Sequence, residues 1–127
     1  MSVRELLDLL EKKSAQPEVF KDAFSETALT ACGIDINERE LSRLDAAILL
    51  HKYLLEIEGV QDLEDISGAE VLKDLYDCRK CVNHIAQVYL RGLIAPVRYP
   101  LPDGREILLF DGKDLYKERS LSCTDYM

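Results

Sequence analysis

Apolar residues recur at three- and four-residue intervals in four segments, and this periodicity constrains the fold of the chain more than any other feature. A serine stands just before three of these segments, and an acidic residue follows each of these serines three positions later. This is the pattern of a capping box, in which the two side chains satisfy free backbone N–H groups at a helix start. We therefore predict four amphipathic helices, at about residues 3–13, 18–31, 43–58 and 68–91.

The segment from 97 to 110 has a different period. Val97, Tyr99 and Leu101 alternate with other residues, and Pro102-Asp-Gly104 separates them from a second apolar run. Alternation is the side-chain period of a strand, and a Pro-Asp-Gly sequence favours a tight turn. We therefore predict a β-hairpin over residues 97–110.

These elements predict the architecture of one domain over residues 1–127. We expect a mainly α fold, a small four-helix bundle on which the C-terminal hairpin packs, and therefore an α+β domain. Residues 120–127 carry no periodic apolar pattern, and we expect them to form a loosely held tail.

Charge and the N-terminus narrow the possible partners and the compartment. The 127 residues include 16 Lys and Arg against 24 Asp and Glu, a net charge of −8. Such a balance disfavours nucleic acid and anionic membranes as partners, because both bind clustered cations. Acidic residues interrupt the apolar positions near Met1, unlike a secretory signal. We expect a cytoplasmic protein, or a cell-envelope protein if the chain is a fragment of an exported one.

Cys78, Cys81 and His84 form the most conspicuous string of possible metal ligands. A structural zinc site takes four ligands in a tetrahedron, commonly with the C-x-x-C pair on a tight turn. The predicted helix instead places both sulfurs on its apolar face and His84 toward solvent. This placement indicates that the two cysteines pack in the core, and we interpret His51 likewise as a core residue. Four cysteines are too sparse for a disulfide-stapled miniprotein, and no export signal is apparent, so we expect Cys32, Cys78, Cys81 and Cys123 to be reduced thiols. A metal or redox site at Cys78 and Cys81 stays an alternative.

No catalytic motif stands out in the sequence. A G-x-S-x-G elbow, a phosphate-binding loop and a Rossmann glycine pattern are all absent from it. We therefore expect no enzymatic activity and no cofactor.

One stretch, residues 33–96, resembles a known family. It begins with Gly-Ile and continues with Leu-Ser-Arg-Leu-Asp-Ala-Ala, an apolar helix and an Asp-containing link, and its last helix ends in Arg-Gly-Leu-Ile. This order is similar to the S-layer homology domains of bacterial cell-envelope proteins. The resemblance implies a small helical module that binds secondary cell-wall polysaccharide. It also implies that Arg43 corresponds to the family's glycan-contacting arginine and Asp45 to the acidic residue after it.

The chain also departs from that family, since it has no Trp and carries a single unit followed by the hairpin. Our leading hypothesis is a non-catalytic module that binds a protein or a cell-envelope glycan. The first alternative is a small acidic cytoplasmic protein that acts on a basic partner, as an inhibitor from a phage or mobile element would. The second alternative is a metal or redox protein that uses Cys78 and Cys81. The sequence predicts neither the identity of the partner nor the oligomeric state.

Overall fold

The structure, a computed structural model, describes residues 1–110, so the tail predicted at 120–127 lies outside the described residues. Its helices are α1 (Val3–Lys13), α2 (Pro17–Ala23), α3 (Glu26–Ala31), α4 (Arg43–Glu56) and α5 (Val82–Leu90). Three 3-10 helices, Ser67–Val71, Leu75–Asp77 and Arg79–Cys81, lie between α4 and α5. The strands are β1 (Val97–Pro100) and β2 (Glu106–Leu109). Within residues 1–110, no helix has the length and apolar character needed to cross a membrane.

Two of the predicted helices form with the caps that predicted them. At α1, the Ser2 hydroxyl accepts from the Glu5 N–H at 3.2 Å, and the Glu5 carboxylate accepts from the Ser2 N–H at 3.1 Å. At α4, the Ser42 hydroxyl accepts from the Asp45 N–H at 3.0 Å. Each cap satisfies a donor that the first helical turn leaves without a partner. The predictions of helices at 3–13 and 43–58 are confirmed.

The single helix predicted at 18–31 is wrong, because the chain breaks there into α2 and α3. Ser25 is the cause. Its hydroxyl accepts from the Ala28 N–H at 3.2 Å and so caps a new helix inside the apolar pattern. Serine competes in this way for backbone donors wherever it can start a helix.

The continuous helix predicted at 68–91 is also wrong, since only its last part is α-helical. The earlier part turns away to bond with the hairpin. The Lys73 N–H donates to the Leu108 carbonyl at 2.8 Å, and the Asp74 carboxylate accepts from the Phe110 N–H at 2.7 Å. Leu72 also pairs with Leu108 as a parallel bridge. The bond to β2 and the local bonds of the 3-10 helices thus replace those that an α-helix would have made.

The predicted hairpin is confirmed. Its strands are antiparallel, with Val97 opposite Leu109 and Tyr99 opposite Ile107. Gly104 takes the positive φ of 90° that the turn requires.

The α+β class is therefore confirmed, whereas a four-helix bundle is not, because residues 1–110 contain five α-helices. Helices α4 and α5 pack against each other and carry much of the fully buried core. The largest fully buried apolar side chains are Phe110, Leu29, Leu44, Ile48, Leu49, Leu72, Leu75, Ile85 and Val3.

Candidate functional site

Arg43 lies at the first position of α4, where its guanidinium bridges to the hairpin region. Its Nε–H donates to the Phe110 carbonyl at 2.6 Å, and a terminal N–H donates to the Ala95 carbonyl. The guanidinium carbon also lies 5.2 Å from the centre of the Phe110 ring, within range of a cation–π contact. Arg43 therefore joins the start of α4 to the chain on either side of the hairpin.

Asp45 lies two residues further along α4 and is 6% exposed. Its backbone N–H donates to the Ser42 cap, and its position in the first turn suits the positive end of the helix dipole. The structure thus places the two candidate ligand-binding residues in one helical turn, Arg43 half-buried and Asp45 buried. The Arg43 guanidinium donates hydrogen bonds to carbonyls of its own chain. Its side chain would therefore already be held in position before a ligand binds.

Cys78 and Cys81 form a disulfide, with their Cα atoms 5.2 Å apart. Cys32 is disulfide-bonded as well, and none of the cysteines within residues 1–110 is a free thiol. The expectation of reduced thiols is therefore wrong for these three residues, whereas Cys123, for which it was also made, lies outside the described residues. Metals bind the thiolate form of cysteine, which a disulfide does not supply. Among residues 1–110, no group of three or more His, Cys, Asp and Glu side chains is arranged to hold a metal ion.

The disulfide also lies in a different place from the one predicted. Cys78 immediately precedes the 3-10 helix Arg79–Cys81, which continues directly into α5. The pair therefore opens a helical run and does not lie in the middle of a helix. Cys81 is fully buried and Cys78 half-buried, while Arg79 and Lys80 between them are exposed.

His84 is 1% exposed, so its predicted position toward solvent is wrong. Its Nδ1 lies 2.9 Å from Nδ1 of His51 on α4, and the two rings meet edge to face. His51 is also 1% exposed, which confirms the prediction that it belongs to the core. The two histidines thus couple α4 to α5 through a buried hydrogen bond.

Asp62 extends this pair into a polar network. One of its carboxylate oxygens lies 2.6 Å from Nε2 of His51, and the other accepts from the Asn83 amide at 2.8 Å. Gln87, fully buried, donates to the Asn83 side-chain oxygen at 3.1 Å and exchanges two bonds with the Leu63 backbone. Residues of α4, α5 and the link between them therefore share one set of hydrogen bonds.

Burial sets the protonation of both histidines. It lowers the pKa of His84 to about 3, with a further lowering from neighbouring His51. It also lowers the pKa of His51, although the Asp62 carboxylate opposes that shift. Both rings are therefore neutral at pH 7.

Because both rings are neutral, each carries one proton, and the hydrogen-bond partners determine which nitrogen holds it. A carboxylate only accepts, so His51 carries its proton on Nε2 and donates to Asp62. Nδ1 of His51 is then the acceptor, and His84 donates to it from Nδ1. The network is thus a directional chain of donors that ends at the Asp62 carboxylate.

Sequence reasoning missed this network because it took the start of the last helix to be near residue 68. The spacing of Asn83 and Gln87 is the signal that could have revealed it, since residues four apart share a helix face. On α5, Asn83 and Gln87 therefore form a polar strip beside His84.

Comparisons of the chain with protein-family models, with curated proteins and with solved structures return no match.

Proposed function

We propose that this protein is a non-catalytic binding module that recognises a component of the bacterial cell envelope, either a glycan or an envelope protein. The observation that carries the proposal is the folding of the stretch that resembles S-layer homology domains. Its two helices, α4 and α5, pack against each other. Gly59 and Gly92, which follow them, take positive φ values of 64° and 72°. Of these two glycines, Gly92 belongs to the Arg-Gly-Leu-Ile segment on which the resemblance rests, and its left-handed conformation at the end of α5 supports the proposal.

The oxidised cysteines support an envelope location. Disulfides persist in oxidising compartments and are rare in a reducing cytosol. The Cys78–Cys81 bond and the oxidised Cys32 therefore favour the envelope over the cytoplasm. The rival hypothesis of an acidic cytoplasmic inhibitor is supported by the net charge of −8 but not by these bonds.

The proposed contact region is the start of α4, where Arg43 is held against the hairpin. A guanidinium fixed by carbonyls is preorganised, because less side-chain freedom is lost when a ligand binds. Arginine's planar donors also suit an acidic sugar. Arg43 would then both hold the hairpin and present its exposed edge to the glycan.

Co-sedimentation with cell-wall preparations that carry secondary polysaccharide tests this contact. We expect the wild-type protein to sediment with the walls and Arg43→Ala to remain largely in the supernatant. The matched control is Arg39→Ala, because Arg39 is an exposed arginine just before α4. Circular dichroism of each variant shows whether the helices persist. Equal retention of wild type and a folded Arg43→Ala would remove the glycan contact from this site.

A further inference from the structure

The Cys78–Cys81 disulfide lies at the N-terminal end of a helical run, a position that favours reactive cysteines. The chain is helical from Arg79 through the end of α5, and Cys78 is the residue just before that run. The Cys81 N–H donates to the Cys78 carbonyl at 3.0 Å, which closes the first turn. The N-terminal end of a helix carries a partial positive charge, and this charge stabilises a thiolate located there.

The two cysteines differ in burial. Cys81 is fully buried, whereas Cys78 is half-buried beside exposed Tyr76 and Asp77. Exchange requires that an incoming thiolate reach one sulfur of the bond while the other departs. The structure therefore makes Cys78 the sulfur open to attack and Cys81 the leaving group.

The charges around the bond favour the same chemistry. Arg79 and Lys80 are both exposed and lie between the cysteines in the sequence. Cations beside a disulfide attract the attacking thiolate and stabilise the thiolate that is released. These two cations stand out in a chain whose net charge is −8.

The bond closes a short loop, with a sequence separation of 3. In the chain-entropy account, closing so short a loop stabilises the fold less than a long-range bond does. The contact between α4 and α5 is made by apolar side chains and by the buried histidine network, neither of which requires this bond. We therefore expect the protein to stay folded when the bond opens.

We propose that Cys78–Cys81 is a redox-active disulfide that exchanges with a free aliphatic thiol, an activity beyond the binding function proposed above. A partner thiolate attacks the Cys78 sulfur, a mixed disulfide forms there, and the Cys78–Cys81 bond breaks. Cys81 leaves as a thiolate and takes a proton from water. A second partner thiol then attacks the mixed disulfide, so that two thiols are oxidised to a disulfide and the protein pair is reduced.

Two single variants of the full chain, Cys81→Ser and Cys78→Ser, test which sulfur reacts. Each is incubated with oxidised glutathione, and the adduct is followed by mass spectrometry; a cysteine-containing peptide disulfide run in parallel represents protein partners. We expect Cys81→Ser to form an adduct at Cys78 at least about tenfold faster than Cys78→Ser forms one at Cys81. Adduct rates within twofold of each other with both probes would overturn the proposal.

The wild-type protein provides a test that does not depend on the folding of any variant. Under limiting dithiothreitol, thiols are alkylated and counted by residue while circular dichroism monitors the helices. We expect Cys78 and Cys81 to open first, with the helices intact, while fully buried Cys32 remains bonded. Opening of Cys78–Cys81 only together with Cys32, or only with loss of helical signal, would show a purely structural bond.

Discussion

Arg43 shows how one side chain can determine the position of a whole element. Its guanidinium donates to the carbonyls of Ala95 and Phe110, residues that flank the hairpin in the sequence. Charged donors make stronger hydrogen bonds than neutral ones, and their loss leaves carbonyls without partners. The residue that the resemblance implies as a ligand contact is therefore also a structural clamp.

Replacing Arg43 by Ala should lower the free energy of unfolding by about 2 kcal/mol, because two charge-assisted bonds are lost. Lysine at the same position should recover only part of that loss, since a single ammonium does not reproduce the planar fork of donors. Arg39→Ala should stay within about 0.5 kcal/mol of wild type, as an exposed substitution. Urea unfolding of the three variants measures these differences. A loss for Arg43→Ala no larger than that for Arg39→Ala would show that the clamp contributes nothing.

At the scale of elements, the sequence predicted what local signals determine. The ends of α1 and α4 follow from Ser2 and Ser42, which cap within their own turn. The hairpin follows from alternation and a glycine turn. The break at Ser25 was missed because its apolar stripe continues across the break. The segment 67–81 was missed because Lys73 bonds to Leu108 on β2 and the rest of the segment forms short 3-10 turns, and no local pattern reveals a bond to a distant strand.

Gly59 follows α4, and substituting it tests whether a glycine in the left-handed conformation ends this helix. Gly59 has φ of 64°, and a Cβ built on it would meet no atom within 4 Å. Gly59→Ala should therefore cost about 1 kcal/mol of unfolding free energy from backbone strain alone. Asparagine tolerates the left-handed region, so Gly59→Asn should cost clearly less than alanine. Thermal unfolding compares the two, and equal losses would mean that the left-handed cap is not what ends the helix.

For the whole molecule, the buried histidine network ties stability to pH. Unfolded His84 binds a proton below about pH 6.5, whereas burial lowers its pKa in the folded chain to about 3. Between these values the unfolded chain holds more protons, so stability falls as the pH drops from 6.5 and is fully retained above it. This difference corresponds to about 3 kcal/mol by pH 4.5.

His84→Asn should remove that slope, because an asparagine amide can donate to His51 but does not titrate. Unfolding free energies at pH 7 and pH 4.5 then give the comparison. The carboxylates, and His51 as the only other histidine, supply whatever slope the variant retains. A variant with the same decrease as wild type would show that His84 is not buried as a neutral ring.

The fold and the candidate site were predictable to different degrees for one physical reason. Helical periodicity is local and was recovered for α1 and α4, whereas the site depends on pairs such as His51 with His84, which lie 33 residues apart. The oxidation state of Cys78 and Cys81 is not encoded in any local pattern, and the hairpin bonds moved the start of the helix on which they were predicted to lie. The prediction therefore put the cysteines in the middle of a helix and His84 on its solvent side, whereas the cysteines precede α5 and His84 is buried.

Binding of the wild-type protein to a bacterial cell envelope is the most direct test of the proposed function. Three preparations are compared by sedimentation: the intact envelope, the envelope stripped of its secondary polysaccharide, and the envelope treated with protease. The account predicts saturable binding to the intact preparation and its loss after one of the two treatments, which identifies the glycan or the protein as the partner. Absence of binding to the intact envelope, or binding that neither treatment alters, would contradict it.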